Sequence, residues 1–434
     1  MGTGTYSGGC YPVNIGHREA SLQAEVVAVG SELLLGQIVD TNSSVIARHF
    51  AGIGLDLFYK TIVGDNLGRV AAMLRQALGR SDVVVTTGGI GPTADDVTRE
   101  AVAAATGRDL EFSEALMRQI EAYFAARGLG LSPSNRRQAY IPAGAIPIEN
   151  PVGTAPAFIV EHDGKSVITL PGVPREMEHL LVHRVMPYLR ERFGPVGEIR
   201  LRVLKAVGLG ESRIGELLAD FMEKGANPTV GTLAHLGQVD VRIAAKGPDR
   251  EAAERLIAPV EMEIRARLGD AVFGADEATL ESEVAAQLRA LATRLAVVEV
   301  GGGGLAGGRL TVLGPELFAA GVVVGDLAGA ERLGLLADAR EGAEAVARQL
   351  AAAVAKWAGA GVGAATWLTP APETSPPTWR LLVAVSVDGG GAAREHRFGG
   401  DLPSIRIRTA TMLLDLIRRS LPAAGVVDSA GRPA

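Results

Sequence analysis

Cysteine is almost absent from this sequence, and its scarcity excludes several classes of protein. Cys10 is the only cysteine among 434 residues, so the chain cannot form an internal disulfide bond. No group of cysteine and histidine residues has metal-ligand spacing. These absences are typical of a protein from a reducing compartment, and we therefore expect a cytoplasmic location.

Long apolar runs and an excess of positive charge are missing as well. The most apolar late stretch, residues 343–368, contains Glu344, Arg348 and Lys356, which excludes a membrane span. Residues 1–23 lack the apolar core of a secretory signal and are predicted to form a flexible leader. With 43 Lys and Arg against 49 Asp and Glu, the chain lacks the basic field of a nonspecific nucleic-acid binder. We expect a soluble protein that binds neither membranes nor nucleic acid directly.

Apolar residues and glycine are plentiful. A hydrophobic fraction of 47% indicates a folded chain, and 434 residues are enough for about three domains, each with its own core. The 55 glycines have no collagen-like period and indicate many tight turns and close backbone approaches.

The first part of the chain alternates predicted strands and helices. Apolar, β-branched runs at Glu25–Gly30, Leu55–Val63 and Asp82–Thr87 predict strands, and Val70–Leu78 predicts a helix. This alternation indicates an α/β domain with a parallel sheet covered by helices on both faces. Ligands of such sheets bind at the carboxyl ends of the strands, so the loops there are the first candidates for a site.

The later chain predicts two further regions. The first is a small α+β module, with strands at Ile199–Val207, Thr229–Ala234 and Val239–Ala245 and helices over Ile214–Phe221 and Arg250–Leu268. The second is an α/β region, with strands at Leu295–Val300 and Leu381–Val387 and a helix over Ile405–Leu421. Residues 358–378 are rich in Ala, Gly, Pro and Thr and are predicted to form a loop.

The run TTGGIGPTADDVT, residues 86–98, is the most informative segment. Its glycines Gly88, Gly89 and Gly91 let backbone N–H groups converge after a buried strand, and a helix begun by Thr93 would point its positive end at the same place. The segment is therefore a candidate phosphate cradle. An equally open interpretation is that Thr93 and Asp96 form a helix capping box, which is compatible with ligand binding.

Neighbouring loops add oxygen ligands. Ser31 and Glu32 follow Gly30 after the first predicted strand, Asp40 and Asn42 come soon afterwards, and Asp65 follows the second strand. Carboxylates and amides beside a phosphate cradle suit a Mg²⁺-type ion that bridges a diphosphate. Each acid taken singly is better explained as a loop or capping residue, so only their convergence favours a site.

Five segments together resemble a known family. GSELLLGQIVDTN, VGDN, TTGGIGPTADDVT, NPVGTAPAF and LPGVPREM are similar, in this order and spacing, to motifs of the competence/damage-inducible protein CinA family. The resemblance implies three domains and a short tail: a three-layer α/β/α molybdopterin-binding-like domain at 24–192, a small α+β domain at 193–276, an α/β domain at 277–422, and a flexible tail at 423–434.

The resemblance also implies an activity and a site. It suggests a metal-dependent nucleotide diphosphate hydrolase that cleaves ADP-ribose to AMP and ribose 5-phosphate, with Asp95 and Asp96 as catalytic residues. A divalent ion, Mg²⁺, Mn²⁺ or Co²⁺, would be held by Asp65, Asp95, Asp96 and Glu32. The expected substrate-binding residues are Gly30, Ser31, Glu32, Asp40, Asn42, Thr87, Gly88, Gly89, Gly91, Pro92, Thr93, Pro171 and Gly172.

Two other functions stay open at this point. One is a non-catalytic nucleotide- or molybdopterin-binding protein that acts through partners in competence or the DNA-damage response. The other is adenylyl transfer to molybdopterin, which is less favoured because the three-domain arrangement belongs to the CinA-like family.

The third domain departs from the family at the residues that carry its chemistry. The family's deamidase motif reads Glu-Ser-Cys-Thr-Gly-Gly, whereas here Glu299 is followed by Val300, Gly301 and Gly302. The segment 325–330 also lacks the family's Tyr and Lys. Because valine cannot act as a nucleophile, we predict an inactive deamidase domain that does not deamidate nicotinamide mononucleotide. A scaffold retained without its chemistry suggests a role in assembly, and we expect a homodimer.

Overall fold

The computed structural model describes residues 22–194, 197–223, 227–337, 340–371, 378–387 and 390–422. These residues form two compact units. The first unit contains the described residues up to Arg200 together with Ala244–Leu256, and the second contains Leu201–Ile243 and the described residues from Ile257 onward. Most of the predicted leader and the whole predicted tail lie outside the described residues. The three predicted domain boundaries stay predictions.

The first unit alternates strands and helices, as the sequence predicts. Its strands are β1 (Gln23–Val29), β2 (Asp56–Val63), β3 (Val83–Thr87), β4 (Leu110–Phe112), β5 (Tyr140–Pro142), β6 (Ile146–Ile148), β7 (Ala157–His162) and β8 (Lys165–Leu170). Its helices are α1 (Ser31–Leu34), α2 (Asn42–Ala51), α3 (Leu67–Arg80), α4 (Thr98–Thr106), α5 (Glu114–Ala125), α6 (Pro174–Leu180) and α7 (Met186–Phe193), with a 3-10 helix at Pro133–Ala139 and a π-helical turn at Leu181–Val185.

The main sheet of this unit has the strand order β2-β1-β3-β8-β7-β6. Strands β2, β1, β3 and β8 are parallel, whereas β7 and β6 pair in antiparallel fashion. The sheet is therefore mixed, and the prediction of a parallel sheet is wrong at the edge formed by β7 and β6. The reason is a tight hairpin between β7 and β8 at Asp163 and Gly164, which both have positive φ.

Alternating residues of the central strands pack into two separate cores. Val26 and Val85 point into one core, which is shared with α2, α6 and α7. Val27 and Val84 point into the other, which is shared with α3, α4 and α5. Because successive strand residues face opposite sides of a sheet, the helices cover both faces, and the predicted three-layer α/β/α arrangement is confirmed.

The second unit contains most of a four-stranded sheet and a complete five-stranded sheet. The remaining strands of the described chain are β9 (Glu198–Val207), β10 (Thr229–His235), β11 (Gln238–Gly247), β12 (Val272–Ala275), β13 (Leu295–Val300), β14 (Phe318–Val324), β15 (Val362–Ala371), β16 (Thr378–Val387) and β17 (Gly390–Gly399). The helices are α8 (Glu211–Leu217), α9 (Ala219–Glu223), α10 (Arg250–Leu268), α11 (Leu280–Ala290), α12 (Leu305–Leu310), α13 (Leu327–Arg332), α14 (Ala343–Ala358) and α15 (Leu402–Ser420). The sheet orders are β10-β11-β9-β12 and β14-β13-β15-β16-β17.

Strand β15 corrects a prediction. Much of the predicted loop at 358–378 is this strand, which pairs parallel with β13 and antiparallel with β16. Its small residues allow α14 to pack closely: a Cβ at Gly363 would lie 1.9 Å from the carbonyl oxygen of Ala351. Tertiary packing therefore selects glycine and alanine where sequence propensity predicts a loop. Within the part of the chain that the structure describes, no helix is long and apolar enough to cross a membrane.

Candidate functional site

A cavity of about 480 Å³ opens in the first unit at the carboxyl ends of the parallel strands. Every predicted site residue except Ser31 lies in its wall. The lining residues are Val29, Gly30, Glu32, Leu33, Ile38, Val39, Asp40, Thr41, Asn42, Asp65, Thr87, Gly88, Gly89, Ile90, Gly91, Pro92, Thr93, Asp95, Asp96, Gln138, Thr154, Ala155, Pro171, Gly172, Val173, Pro174 and Glu176.

Ser31 instead joins the loops after β1 and β2. Its backbone N–H donates to Asp65 Oδ2 at 2.7 Å, and its hydroxyl oxygen accepts from the N–H of Asp65 at 3.2 Å. These two bonds hold Asp65 in the cavity wall, and the predicted contact of Ser31 with substrate stays a prediction.

Asn42 connects three segments that are far apart in sequence. Its buried Nδ2 donates to Thr87 Oγ1 at 2.9 Å and to the carbonyl of Gly172 at 2.7 Å. The Thr87 hydroxyl in turn donates to the carbonyl of Pro171 at 3.0 Å. These bonds fix one wall of the cavity, because β3 and β8 are neighbours in the sheet.

Two glycines at the end of β3 are required by the backbone. Gly88 and Gly89 have φ values of 96° and 65°, in the region that disfavours residues with a Cβ. A Cβ would lie 2.3 Å from the carbonyl oxygen of Val29 at Gly88, and 2.2 Å from the hydroxyl oxygen of Thr98 at Gly89. The loop therefore takes its path only with glycine at both positions.

The residues after this turn form a loop, which corrects the predicted helix start at Thr93. Helix α4 begins at Thr98, and Asp96 organises the preceding loop. The Asp96 carboxylate accepts from the N–H of Gly91 at 2.7 Å, from the N–H of Thr93 at 2.8 Å and from the Thr93 hydroxyl. These three local hydrogen bonds favour the loop over a helix that starts at Thr93, and they use both oxygens of the Asp96 carboxylate.

Only part of the predicted phosphate cradle is free to bind an anion. The N–H of Gly88 donates to the carbonyl of Leu170 at 3.1 Å, and the N–H of Gly91 donates to Asp96. Within the described chain, the N–H groups of Gly89 and Ile90 have no acceptor. Of the amides predicted to hold a diphosphate, these two remain available.

Arg99 lies beneath the same loop and is a residue that the sequence analysis missed. It is 2% exposed, and its guanidinium donates to the carbonyls of Ile90 and Gly91. Burial lowers its pKa from the usual value, against the nearby charges of Glu100 and Asp96. A cation in this place supports anion binding from behind the loop. The signal in the sequence was an arginine in the first turn of a helix whose later residues, AVAAAT, are small or apolar.

The two acids predicted to be catalytic differ in environment. Asp96 is committed to the loop, whereas Asp95 is exposed. The neighbouring Thr93 side chain, and then its own backbone amide, lower the pKa of Asp95 from the usual value. Asp95 therefore suits electrostatic or metal-binding roles better than proton transfer.

A further acid, Glu176, was quoted within the LPGVPREM motif but not predicted as a site residue. Its Oε2 accepts from Nδ2 of the fully buried Asn150 at 2.7 Å. Burial raises the pKa of Glu176 above its usual value. Gln138, which is 1% exposed, also lines the cavity and was missed.

The carboxylates fit a divalent ion that shares its coordination with a ligand. No group of three or more His, Cys, Asp or Glu side chains in the described residues could hold a metal alone. Carboxylates of Glu32, Asp65 and Asp95 nevertheless line one cavity beside free amides. Mg²⁺ commonly takes one or two protein carboxylates and completes its shell with water and phosphate oxygens, so this donor set is chemically suitable.

In the second unit, the strand Leu295–Val300 and the loop that follows it carry no hydroxyl or thiol side chain. Val300 is 1% exposed and sits where the family's nucleophile is expected. The buried Glu299 carboxylate accepts from the N–H of Gly307 at 2.7 Å. Asp326, in the segment that lacks Tyr and Lys, caps α13 by accepting from the N–H of Gly329 at 2.7 Å. These groups serve the local fold.

Comparison with known proteins identifies two regions and several relatives. Residues 25–191 match the family described as "Probable molybdopterin binding domain", and residues 201–274 match the "Damage-inducible protein CinA KH domain". A protein of Alkaliphilus oremlandii that carries the name of a competence-damage inducible protein is 37% identical over 413 residues, which covers 92% of this chain and 99% of that protein.

Two more similarities were found. A CinA-like protein of Kosmotoga olearia is 36% identical over 410 residues, which covers 92% of this chain and 99% of that protein. The crystal structure of a CinA protein from Thermoplasma acidophilum is 40% identical and covers 39% of this chain and 97% of that chain, with a TM-score of 0.36. Identity above one third over nearly the full length of both sequences establishes the family: the chain belongs to the CinA family of competence/damage-inducible proteins.

Proposed function

We propose that the first unit is a metal-dependent nucleotide diphosphate hydrolase that cleaves ADP-ribose to AMP and ribose 5-phosphate. The observation that carries the proposal is one cavity that combines free backbone amides, at Gly89 and Ile90, with several carboxylates. Amides suit phosphate oxygens, and carboxylates suit the divalent ion that accompanies a diphosphate.

The residues of the cavity have different roles because their hydrogen bonds and exposure differ. The amides of Gly89 and Ile90 bind phosphate oxygens, and Arg99 reinforces this loop from below. One or two of the carboxylates of Glu32, Asp65 and Asp95 would hold Mg²⁺, Mn²⁺ or Co²⁺ together with phosphate oxygens and water, and the ion would neutralise phosphate charge and lower the pKa of a bound water. Asp96 keeps the loop in shape rather than reacting, because its oxygens are bonded to Gly91 and Thr93.

The decisive experiment measures ADP-ribose turnover by the purified chain with each of the three metals. We expect AMP and ribose 5-phosphate in equal amounts, and loss of both products with a chelator. Asp95→Asn is expected to lower turnover at least about a hundredfold, the scale of one well-placed electrostatic group. Asp109→Asn is the matched control, because Asp109 is exposed and lies outside the cavity wall.

A second candidate function is binding without catalysis. The match of residues 25–191 to a family described as a probable molybdopterin-binding domain favours it. Wild-type protein that binds ADP-ribose or a pterin, yet forms no product with any metal, would support this alternative and contradict hydrolysis.

For the third predicted domain we propose the absence of deamidase activity. The support is the buried Val300 at the expected nucleophile position and the capping role of Asp326. We further propose that this domain is retained for assembly of a cytoplasmic homodimer.

A further inference from the structure

We propose that Glu176 accepts the proton of the water that attacks the diphosphate. This inference rests on the proposed hydrolase function and adds a residue to it. The geometry points to Glu176 because two features of the fold hold its carboxyl group in the cavity wall and a third leaves one of its oxygens free.

The first feature is the clamp formed by Asn150. This residue is 0% exposed, and its Nδ2 donates both to the carbonyl of Ala155 at 3.0 Å and to Glu176 Oε2 at 2.7 Å. Gln119 holds the backbone of Asn150 from the other side, accepting from its N–H at 3.1 Å and donating to its carbonyl at 2.8 Å. The amide that orients Glu176 is therefore itself fixed on both sides.

The second feature is the space provided by Gly153. A Cβ at this position would lie 2.0 Å from Glu176 Oε2, so any other residue would displace the carboxyl group. The φ of Gly153 is not in the left-handed region, so the backbone conformation does not itself demand glycine. Room for the Glu176 carboxyl is the physical reason for glycine here.

The third feature is the availability of one oxygen. Oε2 is bonded to Asn150, whereas Oε1 has no hydrogen-bond partner among the residues that the structure describes. Asp96, by contrast, has both oxygens occupied by its own loop. Glu176 thus keeps a lone pair for a water molecule while its orientation is maintained.

The charge environment agrees with this role. Burial raises the pKa of Glu176, and the bond from Asn150 and the charge of Arg175 act in the opposite direction. A carboxylate with a raised pKa accepts a proton more readily than one at its usual value. The other ionisable groups in the cavity wall are the carboxyl groups of Glu32, Asp40, Asp65, Asp95 and Asp96.

The step balances without any further reactant. The water oxygen forms a bond to one phosphorus atom while its proton moves to Glu176 Oε1. The bond from that phosphorus to the bridging oxygen breaks, and the electron pair leaves with the bridging oxygen on the second phosphate. Glu176 then releases the proton to solvent, and the two monophosphate products depart.

Glu176→Gln is the direct test, because the Gln side chain keeps an acceptor for Asn150 and occupies the same volume. We expect kcat for ADP-ribose to fall at least about a hundredfold with KM within about threefold, and the melting temperature to be preserved. Glu178→Gln is the matched control on the same helix, since Glu178 is exposed and faces His49. This control should retain wild-type turnover.

A pH profile distinguishes proton transfer from a merely structural role. Asn150→Ser removes a bond that stabilises the Glu176 carboxylate, so the pKa of Glu176 should rise further. Because the base must be ionised, the acid limb of kcat/KM should move to higher pH in Asn150→Ser and disappear in Glu176→Gln.

The outcomes separate the two proposals. If wild-type protein turns over ADP-ribose and Glu176→Gln keeps more than about a tenth of that rate, with the acid limb intact, Glu176 is not the proton acceptor while the hydrolase function stands. If wild-type protein forms no product with any metal, the hydrolase function is wrong and the role of Glu176 is overturned with it.

Discussion

Two glycine-rich loops, one in each unit, follow fully buried strands and share the same backbone device. Gly88 follows β3 and Gly301 follows β13, both with positive φ. A Cβ would lie 2.3 Å from the carbonyl oxygen of Val29 at Gly88, and 2.5 Å from that of Leu368 at Gly301. In each unit the turn passes so close to a backbone carbonyl of a neighbouring strand that only glycine fits.

The loops differ in the side chains that follow the turn. After β3 come Thr93, Asp95 and Asp96, whose oxygens organise the loop and line a cavity. After β13, residues 301–308 are six glycines, Leu305 and Ala306, and the buried Glu299 carboxylate accepts from the N–H of Gly307. A glycine turn at a strand end thus positions a potential site. Reactivity or ligand binding there requires polar side chains whose atoms are not all used in hydrogen bonds within the fold.

The largest expected effect comes from adding a methyl group to either turn. An unfavourable φ alone costs about 1–3 kcal/mol. Gly88→Ala and Gly301→Ala should each lower the free energy of unfolding by more than this, because the added Cβ would also clash with a backbone carbonyl oxygen. Only Gly88→Ala should also abolish ADP-ribose turnover. Thermal unfolding and turnover per folded molecule measure the two effects.

Gly107→Ala is the control for these variants, because a Cβ there meets nothing within 4 Å and reports the effect of φ alone. A loss of specific activity in Gly301→Ala equal to that in Gly88→Ala would show that the two loops are not functionally distinct.

A smaller but still large effect is expected for Asp96→Asn. The Asn side chain has one acceptor oxygen for the donors that Asp96 now binds at Gly91 and Thr93, so the loop should lose about 1–3 kcal/mol. Turnover should fall about a hundredfold together with the melting temperature. An unchanged melting temperature with lost turnover would instead return Asp96 to a direct catalytic role.

Formation of the homodimer is expected to depend on the predicted third domain, which contains the loop after β13. Sedimentation of the full chain at micromolar concentration should give a dimer, because a scaffold that keeps its cores without its reactive groups is explained by an interface. A stable monomer would contradict this, and a chain truncated after Gly274 that still dimerises would place the interface in the earlier domains.

The smallest effect is expected from restoring a serine to the second loop. Val300→Ser should release no ammonia from nicotinamide mononucleotide, because the segment 325–330 still lacks Tyr and Lys and Asp326 is occupied as a helix cap. The parts of such a site act as a unit. Ammonia above background, from this variant or from wild type, would show that the second loop is not inert.

The candidate site was largely predictable from sequence because its residues follow strands that share one sheet edge. Asn42, Thr87 and Gly172 were all predicted, and the structure joins them by hydrogen bonds. Glu176 and Arg99 were missed because their importance depends on burial and on partners in other segments. The strand β15 was missed because its small residues are selected by the packing of α14, and this selection leaves no β-branched pattern.

The sequence by itself determined where strands end, where glycine turns follow and which polar side chains are available there, since these depend on local pattern and backbone sterics. Only the tertiary structure decided how those side chains are used. Placing β8 beside β3 brings Gly172 and Glu176 to the end of the loop, and Asn150 then fixes one carboxyl while Asp96 is fully bonded by its own loop. The physical reason is that the hydrogen-bond donors already bound to a carboxylate decide whether it can react or only stabilises its loop. Donors from other segments reach the carboxylate only after the chain has folded.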